Sequence, residues 1–505
     1  MILSQYTLKN IQSKDVIVPG DAVFDLPEKV LQFGTGVLLR GLPDYFIDKA
    51  NRQGIFNGRI VVVKSTDGGD ASAFDKQDSL YTICVRGVEN GEKVEENIVS
   101  SSISRVLSAK SDWASVLKCA HNPDMQVIIS NTTEVGIQLV NDNILSHPPD
   151  SFPGKLLAFL YERYKAFDGS ASSGMIIIPT ELIVDNGKKL ESIVFELAHL
   201  NSLEDKFIEW LESSNRFCSS LVDRIVPGKP AEPIRKELEE QLGVADELMI
   251  MAESYRLWAI EGDAAVASVL SFAKADEGVV IAEDIGLFRE LKLRMLNGTH
   301  TLSCGLAFLA GFRTVKEGMN DKDMSDFVSG LMLNDIAPAI PYQIKKEVSQ
   351  EFGNKVLDRF RNPYIEHQWI SITMQYTSKM RMRNIPVLQR YIEVMQTLPE
   401  AMVFGFAAYL LFMRVVRKDG NKYFGEYEGV EYPVQDDKAP YFYEKWQLKD
   451  KVEIVDSVLG DTLLWGTDLK QIPGFAGAVR NSLNTMLEKG VLASLRSFQH
   501  KQILV

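Results

Sequence analysis

The stretch KVLQFGTGVLLRG, residues 29–41, carries the pattern that decides the fold of the chain. It begins as an apolar run typical of a buried strand and continues with the spacing of a helix. Gly34 and Gly36 lie between the two, where glycine permits a tight turn and lets the backbone approach a pyrophosphate. The GxGxxG pattern is incomplete, because Leu39 occupies the place of the third glycine. The stretch predicts a phosphate-binding loop, with an ordinary strand-to-helix turn as the alternative.

The residues of this loop are the first candidates for binding a dinucleotide. The N-terminus of the following helix favours an anion through its free N–H groups and its dipole, and an arginine just inside the helix could add a contact to a phosphate. The candidates are Phe33, Gly34, Thr35, Gly36 and Arg40.

A second apolar run, RIVVVKST from Arg59 to Thr66, follows the loop and its helix. Asp67 comes directly after it, and an acidic residue there can hold the ribose hydroxyls of NAD. Its distance from the glycines exceeds the usual spacing of about 20 residues. Lys64 lies nearby and could favour the extra phosphate of NADP, so the preference for NAD rests on Asp67. An ordinary turn residue is the alternative interpretation of this aspartate.

Apolar runs and helical patterns alternate through the first half of the chain. Further candidate strands are Gln126–Ser130 and Gly174–Pro179, and helices are expected over Val37–Arg52 and Lys155–Phe167. This alternation predicts a Rossmann-type, doubly wound α/β domain, which we place at residues 1–284.

The second half has a different pattern, because long amphipathic stretches dominate and strand-like runs are rare. Residues 285–505 are therefore expected to form a mainly α-helical domain for substrate and catalysis. The aromatic and polar segment Lys418–Phe442 is expected to be a long excursion between two helices.

Composition narrows the class of protein. The 505 residues include 68 acidic and 55 basic side chains, a net charge of −13, which argues against binding to nucleic acid or to an anionic membrane. Neither a spanning helix nor a signal peptide is visible. The four cysteines are widely separated and no Cys/His cluster occurs, so we expect reduced thiols in a cytoplasmic protein without a zinc site. Nothing in the sequence indicates an oligomeric state.

Lys292, Asn297 and His300 form the sharpest candidate for a catalytic group. At about 100° per residue, offsets of five and eight place the second and third side chains near 140° and 80° from the first, on one broad helix face. A desolvated lysine can carry a proton to or from an alcohol, and an amide or imidazole can stabilise the oxygen. A solvated lysine and a structural histidine are the alternative.

The pattern Lys292-x4-Asn297-x2-His300 resembles the catalytic signature of the polyol-specific long-chain dehydrogenase/reductase family, which includes mannitol dehydrogenases and hexuronate reductases. The loop FGTGVLLR resembles the nucleotide loop of that family, which is also incomplete. The resemblance covers nearly the whole chain, from about Lys29 to Gly490. Its other segments are SNTTEVGI (130–137), LVDRIVPG (221–228), LNGTHT (296–301), RFRNPYIEHQ (359–368) and YPVQDD (432–437).

This resemblance implies NAD-dependent, metal-independent reduction of a ketone. Lys292 would supply the proton, Asn297 would stabilise the oxygen, and His300 would hold the carbonyl or an adjacent hydroxyl. Glu134 matches a family glutamate near the proton path. Asp223 matches an acidic residue on the substrate side, with a structural pairing to its neighbour Arg224 as the alternative.

One departure from the family pattern bears on the substrate. Mannitol- and fructuronate-specific members carry Cys-Asp-Asn after a mid-chain strand, and that Asn is a second donor to the oxyanion. This chain has Thr180-Glu181-Leu182 instead, with Asn186 as a possible substitute donor. The departure favours tagaturonate, interconverted with altronate, over fructuronate or mannitol. A dinucleotide-binding regulator without turnover is the rival from another class.

A hexuronate also needs a cation for its carboxylate, because the protein itself is acidic. A guanidinium suits that group, since two parallel N–H bonds match its two oxygens. Lys379 aligns best with a substrate-side lysine of the family. A solvated basic helix face is the alternative. The candidates are Arg361, Lys379, Arg381 and Arg383.

Overall fold

The computed structural model describes residues 1–64, 71–133, 135–448 and 450–503. The chain divides into two compact units. The first comprises Met1–Gly87 and Lys93–Ile285, and the second comprises Val88–Glu92 and Gly286–Val505. Within the described residues, no helix combines the length and the apolar character that crossing a membrane requires.

A six-stranded parallel sheet organises the first unit. Its strands are β1 (Glu28–Phe33), β2 (Arg59–Lys64), β3 (Ile103–Ser108), β4 (Val127–Ser130), β5 (Ile176–Pro179) and β6 (Arg216–Phe217). Their spatial order is β3-β2-β1-β4-β5-β6, and each neighbouring pair is parallel. This 3-2-1-4-5-6 order confirms the predicted doubly wound fold and places its topological switch point between β1 and β4.

Both faces of this sheet are buried, which explains why its strands are apolar throughout. Val30 of β1 and Val62 of β2 belong to the core on one face, whereas Leu31 and Val61 belong to the core on the other. Side chains alternate between faces along a strand, so two apolar layers require continuous apolar runs. Helices Pro43–Arg52 on one side and Phe152–Ala166 on the other complete the layers.

The helix expected over Val37–Arg52 is broken, which corrects the sequence-based prediction. The structure has a short helix, Val37–Gly41, and a second one, Pro43–Arg52. Leu42 between them has φ −134°, because a residue before proline is pushed out of the helical region and Pro43 has no N–H to continue the helix.

Two smaller sheets complete the first unit. One has four strands in the order Val16–Ile17, Glu92–Ser100, Tyr81–Glu89 and Ile250–Glu253, and the other consists of Ser220–Asp223, Leu257–Glu261 and Val279–Ala282. Asn90 and Gly91, at φ 54° and 82°, form the turn between Tyr81–Glu89 and Glu92–Ser100. An Asn-Gly pair is a strong hairpin signal, and the sequence analysis did not use it.

The second unit is mainly helical, as predicted. Three of its helical segments, Leu291–Leu296, Leu331–Ile336 and Met380–Asn384, are π-helical turns. The other helices of five or more residues are Gly286–Glu290, Asn297–Leu309, Val315–Asn320, Lys322–Gly330, Lys346–Phe360, Ile385–Met395, Glu400–Phe412, Ala439–Lys445, Lys451–Leu459, Phe475–Lys489 and Val491–Ile503.

The segment Lys418–Phe442 is an excursion from the helical pattern, as expected, but it forms a sheet rather than a long loop. The segment contributes to a three-stranded antiparallel sheet of Val415–Asp419, Lys422–Tyr427 and Val430–Pro433, and then to helix Ala439–Lys445. Gly420 and Gly429, at φ 57° and 79°, allow the two tight turns that join these strands.

Candidate active site

The glycine loop of the first unit lies at the switch point of the parallel sheet. Gly34 follows β1 at φ 129°, and a Cβ atom on it would lie 3.0 Å from the Asn131 carbonyl oxygen after β4. The Asn131 N–H donates to the Phe33 carbonyl at 3.2 Å, which keeps the two strand ends together. A Cβ on Gly36 would meet nothing within 4 Å, so the backbone is open there. A pyrophosphate fits such a loop, because the open backbone at Gly36 precedes the N-terminus of a helix.

Leu39 and Arg40 show how the incomplete motif is accommodated. Leu39 is fully buried, and its Cδ1 would lie 2.9 Å from a Cβ on Gly34. The Arg40 guanidinium is also buried, and its Nη1 donates to the Leu248 carbonyl at 2.6 Å. This bond gives Arg40 a structural role, and its contact to a phosphate stays a prediction.

The other loop candidates are partly described. Phe33 is buried and packs edge-on against Phe152 with ring centroids 5.2 Å apart, while Thr35 is half-buried. The predicted ribose partner Asp67 and the predicted Glu134 lie outside the described residues.

Glu181 organises the segment after β4, a role that sequence reasoning missed. Its Oε1 accepts from the Thr132 N–H at 2.8 Å and from the Thr132 hydroxyl at 3.0 Å, and its Oε2 accepts from the Ser130 hydroxyl at 3.2 Å. The available signal was an acidic residue two positions after the end of an apolar strand. Leu182 beside it is 65% exposed.

Asn186 does not serve as a substitute oxyanion donor in this structure, which corrects that prediction. The residue is fully buried, and its amide nitrogen donates to the carbonyls of Pro179, Glu181 and Ser220 at 3.0–3.1 Å. Its amide oxygen accepts from the Ser220 N–H at 2.9 Å. These bonds occupy the whole side chain and leave no N–H for a substrate. Asp223 is buried at the end of strand Ser220–Asp223, and its role stays a prediction.

The helix carrying Lys292, Asn297 and His300 contains a π-turn, which changes the geometry expected from a plain α-helix. The α-helical segments Gly286–Glu290 and Asn297–Leu309 flank the π-turn Leu291–Leu296. Bonding from i to i+5 widens the turn, so each residue advances by roughly 80° rather than about 100°. Asn297 then falls about 40° from Lys292, and His300 about 20° from it. The π-turn thus brings the three side chains from one broad helix face into a narrow stripe along the helix.

His300 has a buried ring nitrogen that is ready for a ligand. Its ring stacks on Phe360 at 4.0 Å and meets the edge of the His367 ring at 5.3 Å. Among the described residues, its Nε2 has no hydrogen-bond partner. Burial, reinforced by the nearby positive groups, lowers the pKa of His300 well below its ordinary value. The imidazole is therefore neutral near pH 7 and can donate one hydrogen bond and accept another.

Three basic side chains and a second histidine lie near this imidazole, and burial lowers the pKa of that histidine too. The groups that act on the His300 pKa after burial are His367, Arg359, Arg383 and Lys379. Burial also lowers the pKa of Lys379, and the positive charge of Arg383 adds to the effect. The Lys379 ammonium donates to the Ile372 carbonyl at 3.0 Å, and Arg383 Nη1 donates to the Thr301 hydroxyl at 3.0 Å. The concentration of positive charge favours an anion.

The structure separates the four basic candidates of the sequence analysis. Lys379 and Arg383 are close enough to His300 to lower its pKa. Arg381 instead donates to the Leu463 carbonyl at 3.3 Å, and Arg361 pairs with Asp358 at 3.7 Å. Arg359 and His367 were not among the predicted residues, although both lie in the segment RFRNPYIEHQ. Within the described residues, no group of three or more His, Cys, Asp or Glu side chains could hold a metal.

Comparisons with known proteins agree with this architecture. Residues 28–274 match the mannitol dehydrogenase Rossmann domain, and residues 284–487 match the mannitol dehydrogenase C-terminal domain. The chain is 39% identical over 477 residues to altronate oxidoreductase of Bacillus subtilis (strain 168), covering 94% of this chain and 95% of that protein. It is 38% identical over 479 residues to altronate oxidoreductase of Shigella flexneri, covering 93% and 96%.

Two solved structures share the fold at 22% identity. Pseudomonas fluorescens mannitol 2-dehydrogenase, in a ternary complex with NAD and D-mannitol, has a TM-score of 0.66 and covers 99% of this chain and 100% of its own. A substrate-free D-sorbitol dehydrogenase has a TM-score of 0.76, with 98% and 100% covered. The matches of both domains and the full-length relatives show that the chain belongs to the mannitol dehydrogenase family, as an oxidoreductase that acts on CH–OH groups with a nicotinamide dinucleotide.

Proposed function

We propose that this protein is a tagaturonate reductase that interconverts D-tagaturonate and D-altronate with NAD(H). The names of the full-length relatives support this substrate pair. The observation that carries the proposal is the unpaired Nε2 of His300, described above, on the helix of Lys292 and among cationic side chains. A ketone oxygen needs a hydrogen-bond donor such as His300 Nε2. A sugar-acid carboxylate needs cationic side chains nearby.

The roles of the three helix residues follow from their chemistry. When bound, the reduced nicotinamide supplies a hydride to the ketone carbon. Protonated Lys292 donates its proton to the ketone oxygen, so that the product is an alcohol. The Asn297 amide donates a hydrogen bond to that oxygen as negative charge develops. Neutral His300 holds the carbonyl or the adjacent hydroxyl through Nε2.

The carboxylate end of the substrate is assigned to Lys379 and Arg383. Burial lowers the pKa of both side chains, and the positive charge of Arg383 adds to the effect on Lys379. A bound carboxylate relieves that repulsion and accepts charge-assisted hydrogen bonds. Arg361 and Arg381 are less suitable, because neither is among the charged groups that lower the pKa of His300.

The cofactor side of the proposal uses Phe33, Gly34, Thr35 and Gly36. The open backbone at Gly36 and the close approach at Gly34 support the placement of phosphates there. The preference for NAD over NADP, with Asp67 on the ribose, is part of the proposal. Glu134 and Asp223 are proposed on the substrate side, from the family resemblance.

Initial rates of the purified protein test this function. The substrates are tagaturonate, fructuronate and fructose, each with NADH and NADPH, and absorbance at the nicotinamide band reports turnover. We expect the highest kcat/KM for tagaturonate with NADH. A higher value for fructuronate or fructose would reassign the substrate, and NADH binding without turnover on any of the three would indicate a regulator.

A further inference from the structure

Two π-turns of the second unit carry the groups assigned to the reaction. Leu291–Leu296 contains Lys292 and ends directly before Asn297. Met380–Asn384 contains Arg383 and begins directly after Lys379. A π-turn departs from i→i+4 bonding, so the direction of the side chains along each helix depends on whether the turn is maintained.

The second π-turn leaves a backbone carbonyl without its usual donor. Pro386 has no N–H, so the Met382 carbonyl cannot receive the i→i+4 bond of a continuous helix. Arg294, from the first π-turn, supplies the missing donor, since its Nη1 bonds the Met382 carbonyl and also the Arg383 carbonyl at 3.0 Å. Its Nε donates to Glu290 Oε2 at 2.9 Å, and its side chain is only 9% exposed.

Bonds also run in the opposite direction, from the second π-turn to the first helix. The Asn384 amide donates to the Gly298 carbonyl at 3.0 Å, and Arg383 donates to the Thr301 hydroxyl at 3.0 Å. A Cβ on Gly298 would lie 3.1 Å from Asn384 Nδ2, which indicates how closely the two helices approach. Each helix therefore contributes donors to the backbone or hydroxyl of the other.

From this reciprocal bonding we propose that Arg294 is a positioning residue, which locks the two π-turns together and so fixes Lys292, Asn297 and His300 relative to Lys379 and Arg383. The identity of those groups rests on the proposed function. Arg294 acts through main-chain carbonyls, because its guanidinium is directed at Met382, Arg383 and Glu290. A displacement on the order of 1 Å can cost about 100-fold in rate, so such a lock has a measurable effect.

Arg294→Met tests the proposal, since it keeps most of the side-chain volume and removes every donor. Arg294→Lys is the second variant and retains the charge with some donor capacity. Arg390→Met is the matched control, because Arg390 is 51% exposed and pairs with Glu393 on the helix after the second π-turn. The measurements are backbone hydrogen exchange over Leu291–Asn297 and Met380–Pro386, steady-state rates, and NADH binding.

We expect Arg294→Met to speed exchange in both segments and to lower kcat about 100-fold, with the Kd for NADH unchanged. Arg294→Lys should recover part of kcat, and Arg390→Met should match the wild type. Unchanged exchange at Met380–Pro386 in both Arg294 variants would overturn the proposal, as would normal kcat despite faster exchange. If the wild type reduces no hexuronate, the proposed function fails. Backbone hydrogen exchange in the Arg294 variants then tests by itself whether Arg294 holds the two π-turns together.

Discussion

The imidazole of His300 stays uncharged near neutral pH, because burial and neighbouring positive groups lower its pKa. In the proposed mechanism this suits the role of Lys292, since a neutral donor can hold a ketone oxygen without competing for the proton that the lysine would deliver. At the residue scale, the proposed mechanism thus assigns the proton transfer to Lys292 and a hydrogen bond without proton transfer to His300.

Replacing Lys292 tests this division directly. Lys292→Met should lower kcat by about 10²–10⁴-fold, because the proton donor is lost while the backbone that holds the cofactor is untouched. NADH fluorescence titration should give an unchanged Kd. Lys346→Met, at an exposed position, is the control. Normal turnover of Lys292→Met would remove the assigned role.

Lys379 should determine the affinity for the acid rather than the rate of the chemistry. Lys379→Met should raise KM for tagaturonate about tenfold or more and change kcat less, since a charge-assisted bond to the carboxylate is lost. Lys379→Arg should restore part of the affinity. An equal loss of affinity for altronate and for its uncharged amide would show that Lys379 does not read the carboxylate.

The buried carboxyl of Asp44 makes the folding stability of the first unit decrease as pH rises. A carboxylate whose pKa is lowered in the folded state has the opposite effect. Burial raises the pKa of the Asp44 carboxyl to about 7, against the hydrogen bonds from Gln32 and Tyr81 at 3.4 Å. The folded protein therefore holds this proton above the ordinary pKa of about 3.9. The resulting stability is complete below that ordinary pKa and is lost as pH rises through about 7.

Asp44→Asn should remove that dependence. Compared with the wild type, the Tm of the variant should improve progressively between about pH 5 and pH 8, by a few degrees in all. Asp15→Asn, at an exposed position, should follow the wild type. A constant difference in Tm between Asp44→Asn and the wild type across this range would contradict the role of the buried carboxyl.

At the element scale, the glycine loop depends on one backbone conformation. Gly34→Ala places a Cβ 2.9 Å from Leu39 and 3.0 Å from the Asn131 carbonyl, at φ 129°. Strain of about 1–3 kcal/mol is expected, so the Kd for NADH should rise about tenfold or more. Gly20→Ala is the matched control, because nothing lies within 4 Å of its Cβ. Equal affinities for NADH in the two variants would exclude a strict requirement for glycine.

The π-turns show where prediction from the sequence ends. Pro338 and Pro386 each follow a π-turn two residues beyond its last residue, so a sequence signal exists for Leu331–Ile336 and Met380–Asn384. Leu291–Leu296 has no such proline. Arg294 in this π-turn bonds the Met382 and Arg383 carbonyls, and the periodicity of the sequence does not contain such tertiary bonds.

At the scale of the whole molecule, the fold was more predictable than the site. Apolar runs and a glycine turn sufficed for the parallel sheet, because burial on both faces leaves a continuous apolar pattern. The surroundings of His300 come from residues far along the chain, such as Arg359 and His367. Their convergence is a property of helix packing. The buried bonds of Asn186 and Arg40 were equally invisible to motif matching.

The short segment Val88–Glu92 has a consequence for engineering, because it groups with the second unit although it is encoded far upstream of Gly286. Its Gly91 N–H donates to Asp358 at 3.4 Å on helix Lys346–Phe360. A gene fragment that starts at codon 286 omits this segment, so we expect a lower melting temperature than for a fragment with the hairpin tip grafted on. Chimaeras between relatives should therefore take Val88–Glu92 and Gly286–Val505 from the same parent.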